Sequence, residues 1–259
     1  YVRARACIHN YIKTMTNPVI DLLKNHKSIR AYTDKPISDD IVETIFSAAI
    51  AGPNINNFQP VTFIEITDQA FKAEITAQVG MKYIESAARY FVVAIDFNKD
   101  LIGLTPEVRQ LAEERLASYP MLEGAIVSAG IALGRAQVAA ESLGLGSVTM
   151  AGALGSFELY EARLKLPKFV KAVMGFSLGY PDQEPGIKPK LPLSGVLMKD
   201  GYDQATLENT VMAYDNTMKA YYADRGVDNS WFKNNTKLLT RDRDMEPLSN
   251  YPTRKGFKL

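Results

Sequence analysis

Cysteine and histidine are nearly absent: Cys7 is the single cysteine of 259 residues, and His9 and His26 are the only histidines. One cysteine cannot close an intramolecular disulfide or build a thiolate zinc cluster. Two histidines this far apart exclude an H-E-x-x-H metal site, and a Ser-His-Asp arrangement would have to rely on one of them. An excess of one charge is missing too, since 30 basic and 29 acidic residues leave a formal net charge of +1. The chain as a whole is therefore not built for nucleic acid or an anionic membrane surface, which leaves room only for a local basic patch. No apolar run approaches the roughly 20 residues of a membrane span. If the protein is an enzyme, its side chains are poorly equipped for nucleophilic or metal chemistry. A bound organic cofactor is then the natural carrier of the reaction.

What is present suits a globular protein with a sizeable core, at 46% hydrophobic and 23% charged residues. The start, "YVRARACIHNYIKTM", is basic but lacks an apolar stretch and a small-residue cleavage site, so it does not read as a signal peptide. Met15 followed by "TNPVIDLL" looks like a start, and residues 1–14 are expected to be a non-native or disordered extension. Residues 15–259 are expected to form a single domain with a C-terminal helical extension from about 205 to 259. Cytoplasm is the default location.

Asn17-Pro18 predicts the capped start of a short helix to about Asn25, and Pro36 with Ser38-Asp39-Asp40 opens a second, ended by Gly52-Pro53. "VTFIEI" (61–66) alternates like a strand, 68–78 reads as helix, and the continuous apolar "YFVVAIDF" (90–97) reads as a central, buried strand. A charged helix near 106–117 precedes a long one over 121–143, rich in Ala and Gly and so suited to the core or a subunit contact. Residues 146–152 read as a short strand entering a glycine turn, Ser156 as the cap of another helix, and 170–181 as a strand. A helix from 205 through Tyr222, another near 230–240 and a polar tail complete an α+β or three-layer domain.

Several motifs suggest ligands, each with a plain structural alternative. In "NHKSIRAYTDKP" the donors His26, Lys27, Ser28 and Arg30 fall within five positions. Ser28 and Arg30 could hold a phosphate, or the segment could be an ordinary surface loop. His26 has no partner visible in sequence that would make it a general base. "PNINNFQP" carries amides able to read the edge of a planar heterocycle, but such residues also fill plain turns. "LGLGSVTMAG" offers Gly144 and Gly146 toward a dinucleotide fingerprint, yet Thr149 stands at the third glycine and the motif follows a helix into a strand, the reverse of the required order. Helix terminator and turn are the simpler roles. Lys188 and Lys190 flank a proline, and in an extended backbone both could converge on one anion.

Taken in order, these segments resemble a known family. "HKSIRAYTDKPISDDIVETIFSAAIAGPNINNFQPVTFIEITD", "AAESLGLGSVTMAGALG", "LPKFVKAVMGFSLGYPDQEPGIKPKLP" and "AYDNTMKAYYADRGVDN" are similar to successive signatures of the nitroreductase superfamily, in the group of oxygen-insensitive NADPH nitroreductases and NADPH-flavin oxidoreductases. The resemblance covers about residues 17–240. It implies an α+β, three-layer fold with a central mixed sheet flanked by helices, in a domain-intertwined homodimer that binds FMN non-covalently at the subunit interface. It further implies NADPH or NADH as electron donor and nitroaromatics, quinones or flavins as acceptors, in a ping-pong cycle. The alternative is a flavin-binding protein of the same fold with a specialised role or no general reductase activity.

Carried over by residue, the resemblance implies that His26, Lys27, Ser28 and Arg30 contact the FMN phosphate and ring edge. Pro53, Asn54, Ile55 and Asn57 would come from the partner subunit, and Thr149, Met150, Ala151, Gly152 and Ala153 would line the flavin. Lys188 and Lys190 would pair with ring oxygen and phosphate, and Arg225 with the 2′-phosphate of NADPH. There are departures: Met81 stands where a Gln or Asn commonly reaches the flavin edge, and Lys190 replaces a frequent Arg, keeping charge but not bidentate geometry. No further arginine follows Arg225 in "GVDNSWFK", so NADH is a live alternative donor.

Overall fold

The computed structural model describes residues 17–259; Cys7, His9 and the expected extension at 1–14 lie outside the described residues. The described chain divides into two compact units, one comprising the residues up to Pro185 together with Glu246–Leu259, the other Gly186–Met245.

The first unit is organised by strand β2 (Arg89–Asp96), the apolar run that reads as buried in sequence. It pairs with β1 (Val61–Glu65) on one side and β4 (Val170–Gly179) on the other, and β4 pairs in turn with β3 (Gly146–Met150), giving the order β1-β2-β4-β3. The three ladders are antiparallel, a correction to the mixed sheet expected. The parallel component is an isolated bridge between Ser28 and Ser147, outside the named strands. Side chains alternate along β2 as a pleat requires. Phe91, Val93 and Ile95 face helices α2 (Asp39–Ile50) and α5 (Tyr119–Ser142), and Tyr90 and Val92 face α3 (Gln69–Val79) and α6 (Phe157–Leu164). The result is three layers with a core on each side of the sheet.

Local chemistry sets the helix ends. Asn17 Oδ1 accepts from the Val19 and Ile20 N–H groups at 3.0 Å to start α1 (Pro18–Lys24). Asp68 caps α3, which stops at Gly80 with φ +71°. Thr105 caps α4 (Pro106–Leu116). In α5 the buried residues Ala125, Ala129, Ala132 and Ala136 allow close approach to α2 and β2. Ser156 precedes α6 but does not cap it: its Oγ is buried without a hydrogen-bond partner, because its backbone belongs to a 3₁₀ turn (Ala151–Ser156) rather than to the extended conformation a cap requires.

The segment read as a polar tail contains α9 (Glu246–Arg254), and it returns to the core. Tyr251 and Phe257 are fully buried, the Tyr251 hydroxyl accepts from Ala172 N–H at 3.1 Å, and Phe169 N–H donates to Lys255 O at 2.8 Å. Its few apolar residues are too widely spaced among charges to give a helical period. Beneath α9, Lys171 of β4 is buried with its Nζ 4.8 Å from the Tyr251 ring centroid, and burial lowers the amine to about 8.

In the second unit α7 (Gln204–Ala223) and α8 (Trp231–Leu239) are joined by Asp215, whose Oδ1 accepts from Phe232 N–H at 2.8 Å while Oδ2 meets Lys219 Nζ at 2.8 Å. Burial pushes this carboxyl up, but Lys219, the Phe232 N–H and Ser230 outweigh it and hold it at about 2.

Two measurements of stability against pH check these assignments. An unfolded lysine titrates near 10.4, so the unfolded chain binds more protons than the folded one above pH 8, and the Lys171 penalty fades as pH rises through that window. Lys171→Met should stabilise the protein at pH 7 by roughly 3 kcal/mol in denaturant titrations, an advantage that shrinks by pH 10. A mutant advantage independent of pH would contradict this. For Asp215 the sign is opposite: its contribution is present above the unfolded carboxylate range and lost as pH falls toward about 2. Asp215→Asn should thus be destabilising at pH 6 and progressively less so on acidification, as read by thermal melts.

Candidate active site

The donor segment is not a free loop. Ile29 N–H donates to Ser147 O at 2.9 Å, and Ser28 bridges Ser147 in parallel, so the segment runs beside edge strand β3 in the same direction. On its other side Tyr32 bridges Pro181, Thr33 N–H donates to Tyr180 O at 2.9 Å, and Asp182 N–H to Ala31 O at 3.0 Å. Two glycines allow this seating. A Cβ at Gly146 would lie 2.7 Å from Ile29, and one at Gly179 would lie 2.4 Å from the Tyr32 ring. Tyr32 is buried, its hydroxyl donates to Ile29 O at 2.7 Å, and burial pushes the phenol far up despite the opposing charge of Arg30.

Backbone anchoring fixes where the donors point. Ile29 turns into the core while its neighbours stay accessible. His26 Nδ1 lies 2.6 Å from Glu141 Oε1, at the end of α5, and Glu141 also accepts from Ser147 Oγ, which accepts from Gln137 Nε2 at 3.1 Å. Lys27 pairs with Glu184. Arg30 is exposed, and its guanidinium makes one long bond, Nη1 to Ser28 O at 3.4 Å. Of the charged donors, Arg30 is the one whose fork is left for a ligand. Glu141, Gln137 and Glu184 escaped sequence reasoning because their partners are remote in the chain; "AAES" marks Glu141 but not its role.

The turn that follows α3 joins this segment to the end of β3. The Tyr83 ring centroid is 6.0 Å from the Arg30 guanidinium carbon, and a Cβ at Gly152 would lie 2.2 Å from Met81 Cε. Thr149 is half-buried and Met150 and Ala153 are buried, whereas Ala151 is exposed and Gly152 partly so. His26, Lys27, Ser28, Arg30, Met81 and 149–153 thus share one region of the fold.

The asparagine loop lies elsewhere. Ile55 N–H donates to Ser128 Oγ at 3.0 Å, and the Ile55 side chain occupies the space of a Gly124 Cβ. Ser128 and Glu141 are thirteen residues apart on α5, about 20 Å along a helix. One chain therefore does not bring Pro53, Asn54, Ile55 and Asn57 to the donor segment. The loop is strained: Asn56, Asn57 and Gln59 have φ of 49°, 58° and 51°, a conformation costly for residues with a Cβ. Asn54 Oδ1 holds it by accepting from Gln59 N–H at 2.8 Å. It borders a cavity of about 500 Å³, into which Lys99 and Asp100 also project, and the Asp100 carboxyl is raised by burial with Oδ2 unpartnered.

In the second unit Lys188, Lys190 and Arg225 are exposed. Lys188 Nζ donates to the Tyr222 hydroxyl at 3.1 Å, and Arg225 stacks on Tyr221 with its guanidinium carbon 3.7 Å from the ring centroid. Among the described residues no group of His, Cys, Asp or Glu could hold a metal ion, and no single helix is long and apolar enough to cross a membrane.

The donor chemistry fits a phosphorylated flavin. A dianion is served by the free Arg30 fork beside Ser28 and partly buried His26 and Lys27, and Gly152 with Ala151 leaves accessible backbone at the end of β3 for a flat ring.

Known proteins give the same assignment. Residues 23–180 match the Nitroreductase family and residues 188–259 the Nitroreductase family, C-terminal domain. The chain is 35% identical over 210 residues to the NADPH-flavin oxidoreductase of Vibrio harveyi, covering 81% of this chain and 84% of that protein. It is 35% identical over 212 residues to the oxygen-insensitive NADPH nitroreductase of Salmonella typhimurium, covering 81% and 85%. Among solved structures, the NADPH:FMN oxidoreductase of Vibrio harveyi complexed with NAD+ superposes with a TM-score of 0.80 at 30% identity, covering 93% of this chain and 99% of that one. Nitroreductase A from Vibrio parahaemolyticus gives 0.81 at 30% identity, covering 93% and 98%. Sequence and fold agree, and the chain belongs to the nitroreductase family.

Proposed function

We propose that this chain is an FMN-dependent NAD(P)H oxidoreductase that reduces nitroaromatics, quinones or flavins by two-electron transfer. The observation that carries this reading is the donor segment 26–30, held along β3 with an uncommitted Arg30 beside the accessible backbone of 151–152. FMN, when bound, supplies the redox chemistry. The chain's own residues bind and orient. Arg30 and Ser28 take the phosphate, and Glu141 fixes the His26 ring against it. Lys27 adds positive charge while Glu184 limits its reach. Residues 149–153 present β3's end to the ring, with Met81 packed on Gly152 from the other side. Lys188 and Lys190 add cations toward the ring oxygen and phosphate, and Arg225 reads the 2′-phosphate of NADPH. The scarcity of cysteine and histidine is in keeping with a site that needs no side-chain nucleophile.

A homodimer completes this reading. The strained loop with Pro53, Asn54, Ile55 and Asn57 stands about 20 Å from its own donor segment along α5, and a second copy would supply it. The outer face of α5 supports such a contact: Tyr119, Ile126, Val127 and Ile131 are exposed, and Gly130 and Gly134 open onto free space. Cytoplasm is assigned on the single cysteine and the nicotinamide donor.

Arg30→Ala should raise the FMN dissociation constant roughly tenfold to a hundredfold, the value of a charge-assisted hydrogen bond. Flavin absorbance retained after dialysis measures it, and full retention would remove Arg30 from the phosphate. The shared site is tested by mixing subunits. Arg30→Ala and Asn54→Ala homodimers should each bind FMN weakly, whereas a mixed dimer should regain one tight site per pair. No regain on mixing would overturn the shared site.

A further inference from the structure

The end of α7 carries an arrangement that the assignment of Arg225 alone does not explain. Arg225 follows the helix in a tight turn, with its N–H donating to Tyr222 O at 3.0 Å and Gly226 at φ +67° directly after it. Its side chain folds back over the preceding turn. The guanidinium carbon stands 3.7 Å from the Tyr221 ring centroid, and Nη1 donates to Tyr221 O at 3.1 Å. Nη2 occupies the space beside Gly186, where a Cβ would lie only 2.6 Å away. Tyr221 is itself held by Tyr222 at 5.4 Å, edge to face, and Tyr222 carries Lys188 on its hydroxyl.

These contacts remove the freedom that an exposed arginine ordinarily keeps. One face of the guanidinium is stacked, one amino group is tied to a backbone carbonyl, and the other lies along a residue without a side chain. The exposed cation is left with its remaining N–H donors in a plane fixed by these contacts, and a guanidinium held in one plane suits the directional hydrogen bonds of a phosphomonoester. Orienting the fork before the ligand arrives lowers the ordering cost of binding. That matters here because no second arginine follows in "GVDNSWFK" to share the work.

We propose that Tyr221 and Gly186 are positioning residues that hold the Arg225 guanidinium as the reader of the ribose phosphomonoester on the dinucleotide donor, and that they set the preference of this chain for the phosphorylated donor. The proposal rests on the assignment of Arg225 to that phosphate. Gly186 has an ordinary backbone conformation, so its requirement is for space alone. The atom that a methyl would meet is the free end of a flexible side chain. Gly186→Ala therefore displaces the guanidinium and leaves the fold in place.

The test compares Arg225→Ala, Tyr221→Leu, Tyr221→Phe and Gly186→Ala in the flavin-loaded enzyme, with KM and kcat for NADPH and NADH against a quinone. Calorimetric titration of each variant with adenosine 2′,5′-bisphosphate and with AMP gives a readout independent of turnover. Tyr221→Leu and Gly186→Ala should raise the ratio of KM for NADPH to KM for NADH roughly two- to fivefold, the scale of a cation–π contact at an exposed site. The loss should fall on KM rather than kcat, with a matching loss of preference for the bisphosphate, and Tyr221→Phe should retain the wild-type ratio. If Arg225→Ala shifts both ratios and Tyr221→Leu and Gly186→Ala shift neither, the positioning role is overturned while the phosphate assignment stands. If Arg225→Ala itself leaves them unchanged, the assignment fails and the proposal falls with it.

Discussion

The hydrogen bond from Ile29 N–H to Ser147 O, with the parallel bridge beside it, is the constraint on which the site depends. It ties a polar connection between two helices to the edge of a sheet through an isolated bridge. Edge strands expose unpaired backbone groups, and covering them is a general need of sheet proteins. Here the bridged segment carries His26, Lys27, Ser28 and Arg30, so the same backbone pairing also sets which of these donors reach solvent. Gly146 and Gly179 are required for space rather than for unusual dihedrals, since Ile29 and Tyr32 fill the volume their side chains would take.

Charge is distributed unevenly over those donors. His26 and Lys27 are matched by Glu141 and Glu184, while Arg30 is left with one long bond to a carbonyl. A permanently paired set would bind an anion poorly, and a wholly unpaired one would repel itself in its absence. The carboxylates also orient what they pair, so Glu141 fixes one ring nitrogen of His26 from α5, the same helix whose middle seats the strained loop through Ser128. Helix α5 is thus the ruler of the first unit. It spaces the donor segment and the asparagine loop, and its outer face carries exposed apolar residues.

The secondary structure was largely legible because its signals are local. Asn17-Pro18 caps α1, the apolar run 90–97 is β2 within a residue, and Gly144 does end α5 at φ +77°. The failures share a cause. Ser156 looks like a cap in sequence, but a 3₁₀ turn imposed by the packing of 151–156 puts it in the wrong conformation and buries its hydroxyl. Helix α9 is invisible as a period because its anchors, Tyr251 and Phe257, are set by the shape of the core they enter. The mixed sheet gave way to antiparallel ladders because the one parallel pairing involves a segment too short to count as a strand.

For the candidate site, residue types and their order were enough to single out the donor segment and the asparagine loop as motifs and to point to the family, since functional groups close together in the chain are visible without a fold. Partners were not. The pairing of His26 with Glu141 spans 115 positions and that of Lys27 with Glu184 spans 157, distances over which sequence carries no contact rule. Whether Lys188 and Lys190 converge was also undecided by spacing, and the fold turns Lys188 onto Tyr222. The sequence by itself determined which groups are available, because chemistry resides in residue type. Only the tertiary structure decided which of them are already spent on each other, because that depends on which remote segments the packed core brings within 3 Å.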